Sequence, residues 1–184
     1  MRSLDEALRE FVLALDELKM DYVIVGGIAV ASWGNVRTTR DVDVIISLDK
    51  DKIERFVDVL SGHGFSATMD SILDSLKERS HFTIFDKHSE YHVDAKGVYS
   101  NRERRTLETK REVKIKTLKC YIAAPEDIIA NKLVFGSEQD VKDAEGIYAR
   151  QLPKLDLEYL ERICVEMGIV KELEALKKRF EKYL

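Results

Sequence analysis

The spacing of apolar side chains over the first quarter of the chain predicts two helices and two strands. Leucine and phenylalanine recur every three or four positions over residues 3–19, which is typical of an amphipathic helix, and Ser3 with Glu6 forms a capping box at its start. Short runs rich in β-branched residues indicate buried strands at YVIVGG and at VDVII, residues 42–46. The segment IAVASWG between them predicts a short helix that Gly34 ends.

The pattern continues with a helix and further strands, and from Pro125 onward it is helical only. Helices are predicted at 51–62, 125–135, 138–150 and 156–182, the last with a break at Gly168. Strands are predicted at 81–85 and 91–95, followed by a β-hairpin over 111–122. This order indicates an α/β (α+β) fold, in which a mixed β-sheet core with flanking helices is followed by a C-terminal helical part.

Length and composition narrow the class of protein. We expect residues 1–122 of the 184 to form the α/β core and 123–184 to form the helical part packed on it. The formal net charge of -4 argues against a surface that binds nucleic acid throughout. Since the N-terminus is charged and no apolar run approaches the ~20 residues of a membrane span, we expect a cytoplasmic protein with no membrane partner. Scarce Asn and Gln beside abundant Lys and Glu favour a thermophilic source.

Two carboxylates at the start of the second strand are the first candidate for chemistry. Asp41 and Asp43 flank Val42, and side chains that are two residues apart on a strand project from the same face. Carboxylates this close repel each other unless a cation neutralises them. Oxygen-only ligands of this kind suit Mg²⁺ or Mn²⁺, so we predict a divalent metal site.

A third carboxylate, Asp94, occurs in YHVDAK on a later predicted strand. If that strand lies beside the one that carries Asp41 and Asp43, the three carboxylates meet. Three acids can hold two metal ions ~4 Å apart, the arrangement that serves phosphoryl and nucleotidyl transfer. Gly26 and Gly27 end the first strand and precede a helix, so their backbone can approach a triphosphate.

Each of these features alone has an ordinary interpretation. A D-x-D pair is usually solvated surface, and a Gly-Gly pair is usually a turn. His92 could face the same cleft as Asp94, but a sheet histidine with ordinary partners is the favoured interpretation. The basic stretch 101–119 could steer RNA or a nucleotide, although such a run is usually a solvated face. The order in which these features occur together is far rarer than any one of them. That order is a strand, GG, a short helix, R-x-T-x-D-x-D, a strand and a later strand that ends in V-D.

This joint order resembles the AbiEii-type and related minimal nucleotidyltransferases of the DNA polymerase β-like superfamily. The resemblance rests on GG-x-A, R-x-T-x-D-x-D, the later acid on a strand and a helix that begins P-E-D-I-I-A-N-K, and it covers about residues 20–150. It implies that Gly26 and Gly27 engage nucleotide phosphates. It also implies that Asp41, Asp43 and Asp94 bind divalent metal.

The resemblance also implies a second group of nucleotide-binding residues. Lys132 matches a lysine that the family carries on the helix after its P-E start. The following family segment R-D-x-x-D reads QDVKD here, which keeps Asp143 but lacks the arginine. Arg37, Thr39 and Arg40 precede the metal acids and fit phosphate contacts, with an ordinary surface loop as the alternative.

The implied activity is transfer of a nucleoside monophosphate from an NTP to a hydroxyl acceptor, which could be an RNA end, a protein or a small molecule. A second hypothesis is a weak or inactive member that acts as a binding partner, such as a toxin–antitoxin component with an operon-encoded protein partner. A third is a structural α/β module in which the acids are ordinary surface residues.

Overall fold

The computed structural model describes residues 1–34 and 38–181. The strands are β1 (Tyr22–Ile24), β2 (Asp41–Ile46), β3 (Phe65–Ser66), β4 (His81–Asp86), β5 (His92–Lys96), β6 (Arg111–Ile115) and β7 (Leu118–Ile122). The helices of the first two thirds are α1 (Leu4–Glu17), α2 (Gly26–Trp33), α3 (Ile53–Gly62), α4 (Met69–Glu78) and α5 (Asn101–Glu108). The later helices are α6 (Pro125–Phe135), α7 (Glu138–Gln151), α8 (Leu157–Glu166) and α9 (Val170–Phe180).

The described residues form two compact units. One unit contains residues 1–28 and 38–122, and the other contains 29–34 and 123–181. Across the described ranges, no helix is both long and apolar enough to cross a bilayer.

The first unit is built on a mixed seven-stranded sheet in the order β3-β4-β5-β2-β1-β7-β6. The β2–β5 and β1–β7 pairs are parallel, and the other neighbouring pairs are antiparallel. Val42, Val44 and Ile46 of β2 are buried, so one face of this central strand belongs to the core. The predicted mixed-sheet α/β fold with a helical C-terminal part is confirmed.

Local sequence signals explain the start of the chain. The Ser3 hydroxyl accepts a hydrogen bond from the Glu6 backbone, and the Ser3 backbone N–H donates to Glu6 Oε2 at 2.8 Å, so the predicted capping box is present. Phe11 and Leu15 of α1 are fully buried, which agrees with the predicted apolar stripe.

The second unit is helical, as the sequence predicts. Pro125 occupies the first turn of α6, and the acids that follow it connect α6 to α8. Glu126 Oε1 accepts a hydrogen bond from the Asp156 backbone N–H at 2.9 Å, and Asp127 accepts one from the Tyr159 hydroxyl at 3.0 Å. The predicted break at Gly168 is also present, since its φ of +70° is left-handed and α9 starts only at Val170.

The sequence pattern did not predict β3 or α4. β3 is two residues long, which is too short for an alternation signal. α4 buries only Ile72 and Ser75 of its ten residues, so its apolar stripe is narrow. Its start is instead marked by Thr68, whose hydroxyl accepts a hydrogen bond from the Ser71 backbone N–H at 3.3 Å.

Candidate active site: a cluster of carboxylates and a histidine

The parallel pairing of β2 with β5 brings the three sequence-predicted acids together. In this register Asp43 lies opposite Asp94, and Asp41 lies opposite His92. The residues between them point the other way, because Val42 and Val93 are buried in the core. The three carboxylates and the His92 imidazole therefore share one face of the sheet.

Among the described residues, the group of potential metal ligands that lie close together differs from the expected set in one member. One ligand atom each from Asp41, His92 and Asp94 lie within 4.8 Å of one another. The His92 Nε2 to Asp94 Oδ2 distance is 3.6 Å. The sequence analysis favoured an ordinary sheet histidine at this position. The available signal was the two-residue spacing between His92 and Asp94, which is the same spacing that pairs Asp41 with Asp43.

Two threonine hydroxyls orient the acids. Thr83 on β4 lies opposite Asp94, and its hydroxyl donates to Asp94 Oδ1 at 2.9 Å. The Thr39 hydroxyl donates to Asp41 Oδ1 at 2.5 Å. Each hydroxyl fixes one oxygen of its carboxylate and leaves the second oxygen for another partner. Hydrogen bonds of this kind are typical of the residues that surround metal ligands.

The glycine pair lies against these side chains. Gly26 has a left-handed φ of +60°, and a Cβ there would lie 1.8 Å from Asp43 Oδ2. A Cβ on Gly27 would lie 2.7 Å from the Thr39 hydroxyl oxygen. The sequence analysis expected the glycines to admit a phosphate. In the structure they are also required because Asp43 and Thr39 pack against the turn.

The electrostatics of Asp43 fit a cation site. Burial raises the pKa of Asp43, and the neighbouring charges of Asp41 and Asp94 raise it further. A hydrogen bond from the Gly27 backbone and the nearby His81 act in the opposite direction. Since the ionised form is disfavoured by other carboxylates, a divalent cation would relieve the repulsion. The donor set therefore fits a divalent metal ion.

The remaining predicted residues lie elsewhere or have other partners. Arg40 is exposed on the segment that precedes β2, and Arg37 lies outside the described residues. In the helical unit, Lys132 Nζ lies 2.7 Å from Asp140 Oδ1 and 3.1 Å from Asp143 Oδ2. The lysine is thus ion-paired to two acids of α7, and Asp143 also accepts a hydrogen bond from Gln139 at 2.8 Å.

The mixed sheet with its central parallel strand pair, followed by a helical part, is an α/β nucleotidyltransferase-like fold. Residues 1–183 match the family described as "Nucleotidyltransferase of unknown function (DUF6036)", and the chain belongs to this family. The predicted superfamily and the predicted enzyme class, a nucleotidyltransferase, are thereby confirmed. A comparison with curated proteins gives no match.

Solved structures of similar fold agree with this assignment. ANT(2″)-Ia, in complex with adenylyl-2″-tobramycin, has a TM-score of 0.58 at 14% identity, over 97% of this chain and 99% of that chain. An antigenic nucleotidyltransferase-like protein from Paracoccidioides brasiliensis has a TM-score of 0.54 at 20% identity, over 94% and 91% of the two chains. The lincosamide antibiotic adenylyltransferase LnuA, bound to lincomycin, has a TM-score of 0.50 at 16% identity, over 79% and 96%. At these identities the likeness shows the fold alone.

Proposed function

We propose that this protein is a metal-dependent nucleotidyltransferase that moves a nucleoside monophosphate from an NTP to a hydroxyl acceptor and releases pyrophosphate. The observation that carries the proposal is the β2–β5 register, which sets Asp43 opposite Asp94 with Asp41 two residues away. Carboxylates grouped in this way, with Oδ2 of Asp41 and of Asp94 not used by the threonine hydrogen bonds, support binding of Mg²⁺ or Mn²⁺.

The proposed roles follow from which atoms have partners. When bound, divalent ions would neutralise the acids and polarise the phosphates of the NTP. Asp41, Asp43 and Asp94 would hold the metal. The Oδ1 of Asp94 accepts the hydrogen bond from Thr83, and its Oδ2 carries two lone pairs. Oδ2 would bind the metal with one lone pair and use the other to orient the acceptor hydroxyl and accept its proton. The hydroxyl oxygen then bonds to the α-phosphorus, the bond from that phosphorus to the bridging oxygen breaks, and its electron pair leaves with pyrophosphate.

The triphosphate would lie at the glycine turn. Gly26 starts α2, and the positive end of the helix dipole there favours anionic oxygens. Arg37 and Arg40 are proposed phosphate contacts because they precede the metal acids in sequence. For Thr39 the hydrogen bond to Asp41 supports a positioning role, in addition to the phosphate role implied by the family resemblance. Lys132 and Asp143 are also proposed to bind the nucleotide, as the family resemblance implies.

A small molecule is the acceptor class that the observations favour. Three of the eight basic residues in the stretch 101–119 are paired with acids, because Lys110, Lys116 and Lys119 pair with Asp21, Asp5 and Glu112. This pairing weakens the case for an RNA acceptor. ANT(2″)-Ia was solved with adenylyl-2″-tobramycin and LnuA with lincomycin, and both ligands are small molecules.

An exposed aromatic ring supports the same acceptor class. Phe85 lies two residues from Thr83 on β4, opposite His92, and 60% of its surface is exposed. By strand alternation its ring shares the face of Asp94, where it could stack on a cyclic acceptor. Phe85→Ala should therefore raise the acceptor KM and leave the NTP KM unchanged.

The test is incubation with each α-labelled NTP and Mg²⁺ or Mn²⁺, separately with hydroxylated small molecules, cellular RNA and cellular protein. We expect label transfer with a mass gain of one nucleoside monophosphate on a small molecule, and its loss in Asp94→Asn. Label on RNA or protein alone would contradict the favoured acceptor class. Failure of every acceptor to gain label would contradict the proposed activity and favour a binding role.

A further inference from the structure

We propose that His92 is a metal ligand beside Asp41 and Asp94, and that its nitrogen makes this site prefer a first-row transition ion, such as Mn²⁺ or Co²⁺, over Mg²⁺. The inference rests on the proposed function for the existence of a metal site. It adds a ligand and a metal preference to that site.

The backbone register determines the position of His92. His92 lies opposite Asp41 across the β2–β5 pair and two residues before Asp94 on its own strand, so the three side chains share one face. Two atoms bound to one ion at about 2.1 Å are at most about 4.2 Å apart. The ligand atoms of the three residues lie within 4.8 Å of one another. Small side-chain rotations would therefore bring all three onto a single ion.

His92 lies close to Asp94 without forming a hydrogen bond to it. Its Nε2 lies 3.6 Å from Asp94 Oδ2, which is too far for a hydrogen bond. The other oxygen of Asp94 accepts a hydrogen bond from Thr83, so Oδ2 is the oxygen that faces the imidazole. The side chain of His92 is 34% exposed and that of Asp94 is 30% exposed, so an ion can reach both from solvent.

The chemistry of imidazole sets the preference. Mg²⁺ takes oxygen ligands and keeps several of its waters, whereas imidazole nitrogen suits first-row transition ions. A site of carboxylates alone is matched to Mg²⁺. Replacing one oxygen donor with His92 favours an ion later in the first-row affinity order, in which Mn²⁺ precedes Co²⁺.

The experiment measures binding of the metal alone, without nucleotide or turnover. Calorimetric titrations with Mg²⁺, Mn²⁺ and Co²⁺ would be run on the wild type, His92→Gln, Asp94→Asn and the control His63→Gln. The control removes His63, which lies outside the proposed site. Its Nδ1 is 3.2 Å from a carboxylate oxygen of Glu10, and its Nε2 is 3.2 Å from a carboxylate oxygen of Glu17. The visible absorption spectrum of bound Co²⁺ gives a second readout that reports on its ligands. Circular dichroism checks that each variant is folded, and His92→Asn replaces His92→Gln if that variant is not.

We expect the wild type to bind Co²⁺ and Mn²⁺ more tightly than Mg²⁺. His92→Gln should lose at least roughly tenfold in Co²⁺ affinity and change the Co²⁺ spectrum, with Mg²⁺ affinity within about threefold of wild type. Asp94→Asn should weaken all three ions, and His63→Gln should weaken none.

Three results would overturn the proposal. His92→Gln could bind Co²⁺ like the wild type, it could lose Mg²⁺ and Co²⁺ affinity equally, or the wild type could prefer Mg²⁺. None of these results would refute the proposed function. An enzyme that uses Asp41, Asp43 and Asp94 with Mg²⁺ would still transfer nucleotide if His92 did not bind the metal. Conversely, if His92→Gln lost Co²⁺ affinity selectively, His92 would be supported as a metal ligand even if no nucleotide acceptor were found.

Discussion

Gly26→Ala should displace the Asp43 carboxylate and damage the site more than the fold. The new Cβ would lie 1.8 Å from Asp43 Oδ2 and 2.5 Å from its carboxyl carbon, so the side chain of Asp43 must move. The left-handed φ of +60° adds roughly 1–2 kcal/mol for any residue with a Cβ. A displacement of about 1 Å at a reacting group can cost on the order of 10²-fold in rate, so turnover should fall by that order.

Two other glycines separate the contributions. Gly168 has a similar φ of +70°, and a Cβ there would meet nothing within 4 Å, so Gly168→Ala carries the backbone strain without a clash. A Cβ on Gly62 would also meet nothing within 4 Å, and this residue has no such φ, so Gly62→Ala should be close to neutral. The assays are urea unfolding and Mn²⁺ calorimetry on all three variants.

We expect Gly26→Ala to be destabilised at least as much as Gly168→Ala, and to be the only one of the three that loses Mn²⁺ affinity. Equal destabilisation of the two variants, together with full Mn²⁺ binding by Gly26→Ala, would refute the close contact between the glycine turn and Asp43.

Three further predictions concern charged groups. Asp43→Asn should raise the Tm of the metal-free protein, because burial and two neighbouring acids raise the pKa of Asp43. The same variant should no longer bind Mg–NTP. Calorimetry in which the variant binds Mg–NTP like the wild type would remove Asp43 from the site. Lys132→Ala should cost roughly 1–3 kcal/mol of unfolding free energy, since it removes an ion pair from the buried Asp143 while the hydrogen bond from Gln139 stays. A denaturation curve unchanged from wild type would contradict this. Burial acts to raise the pKa of Glu103, but hydrogen bonds from Lys96 and Ser100 lower it to about 2, from an ordinary 4.5. Glu103→Gln should therefore lose up to about 3 kcal/mol near pH 7, and the difference from wild type should shrink as pH falls from about 4.5 towards 2; a difference independent of pH would refute the linkage.

The sequence predicted the parts of the site that depend on strand periodicity. The two-residue spacing of Asp41 and Asp43 placed them on one face, and the buried Val42 and Val93 fixed which face that was. The pairing of β2 with β5 was stated only as a condition, because neighbouring strands are not determined by local pattern. The sheet order supplied that condition and brought Asp94 beside Asp43.

Side-chain geometry could not be predicted from the sequence. His92 looked like an ordinary sheet histidine, since nothing local indicates that Asp41 lies opposite it on another strand. The hydrogen bonds from Thr39 and Thr83 depend in the same way on tertiary contacts. The sequence analysis gave Lys132 only a nucleotide-binding role. Its ion pairs with Asp140 and Asp143 add a structural role, because they place a compensated charge inside the helical unit.

The most direct test of the central claim is a crystal structure with Mn²⁺ and a non-hydrolysable NTP analogue, with the ions located by anomalous scattering. The account predicts at least one Mn²⁺ about 2.0–2.3 Å from oxygens of Asp41, Asp43 or Asp94, with the α-phosphate beside it and the triphosphate at Gly26 and Gly27. Anomalous peaks away from all three carboxylates, or a nucleotide bound elsewhere on the protein, would contradict it.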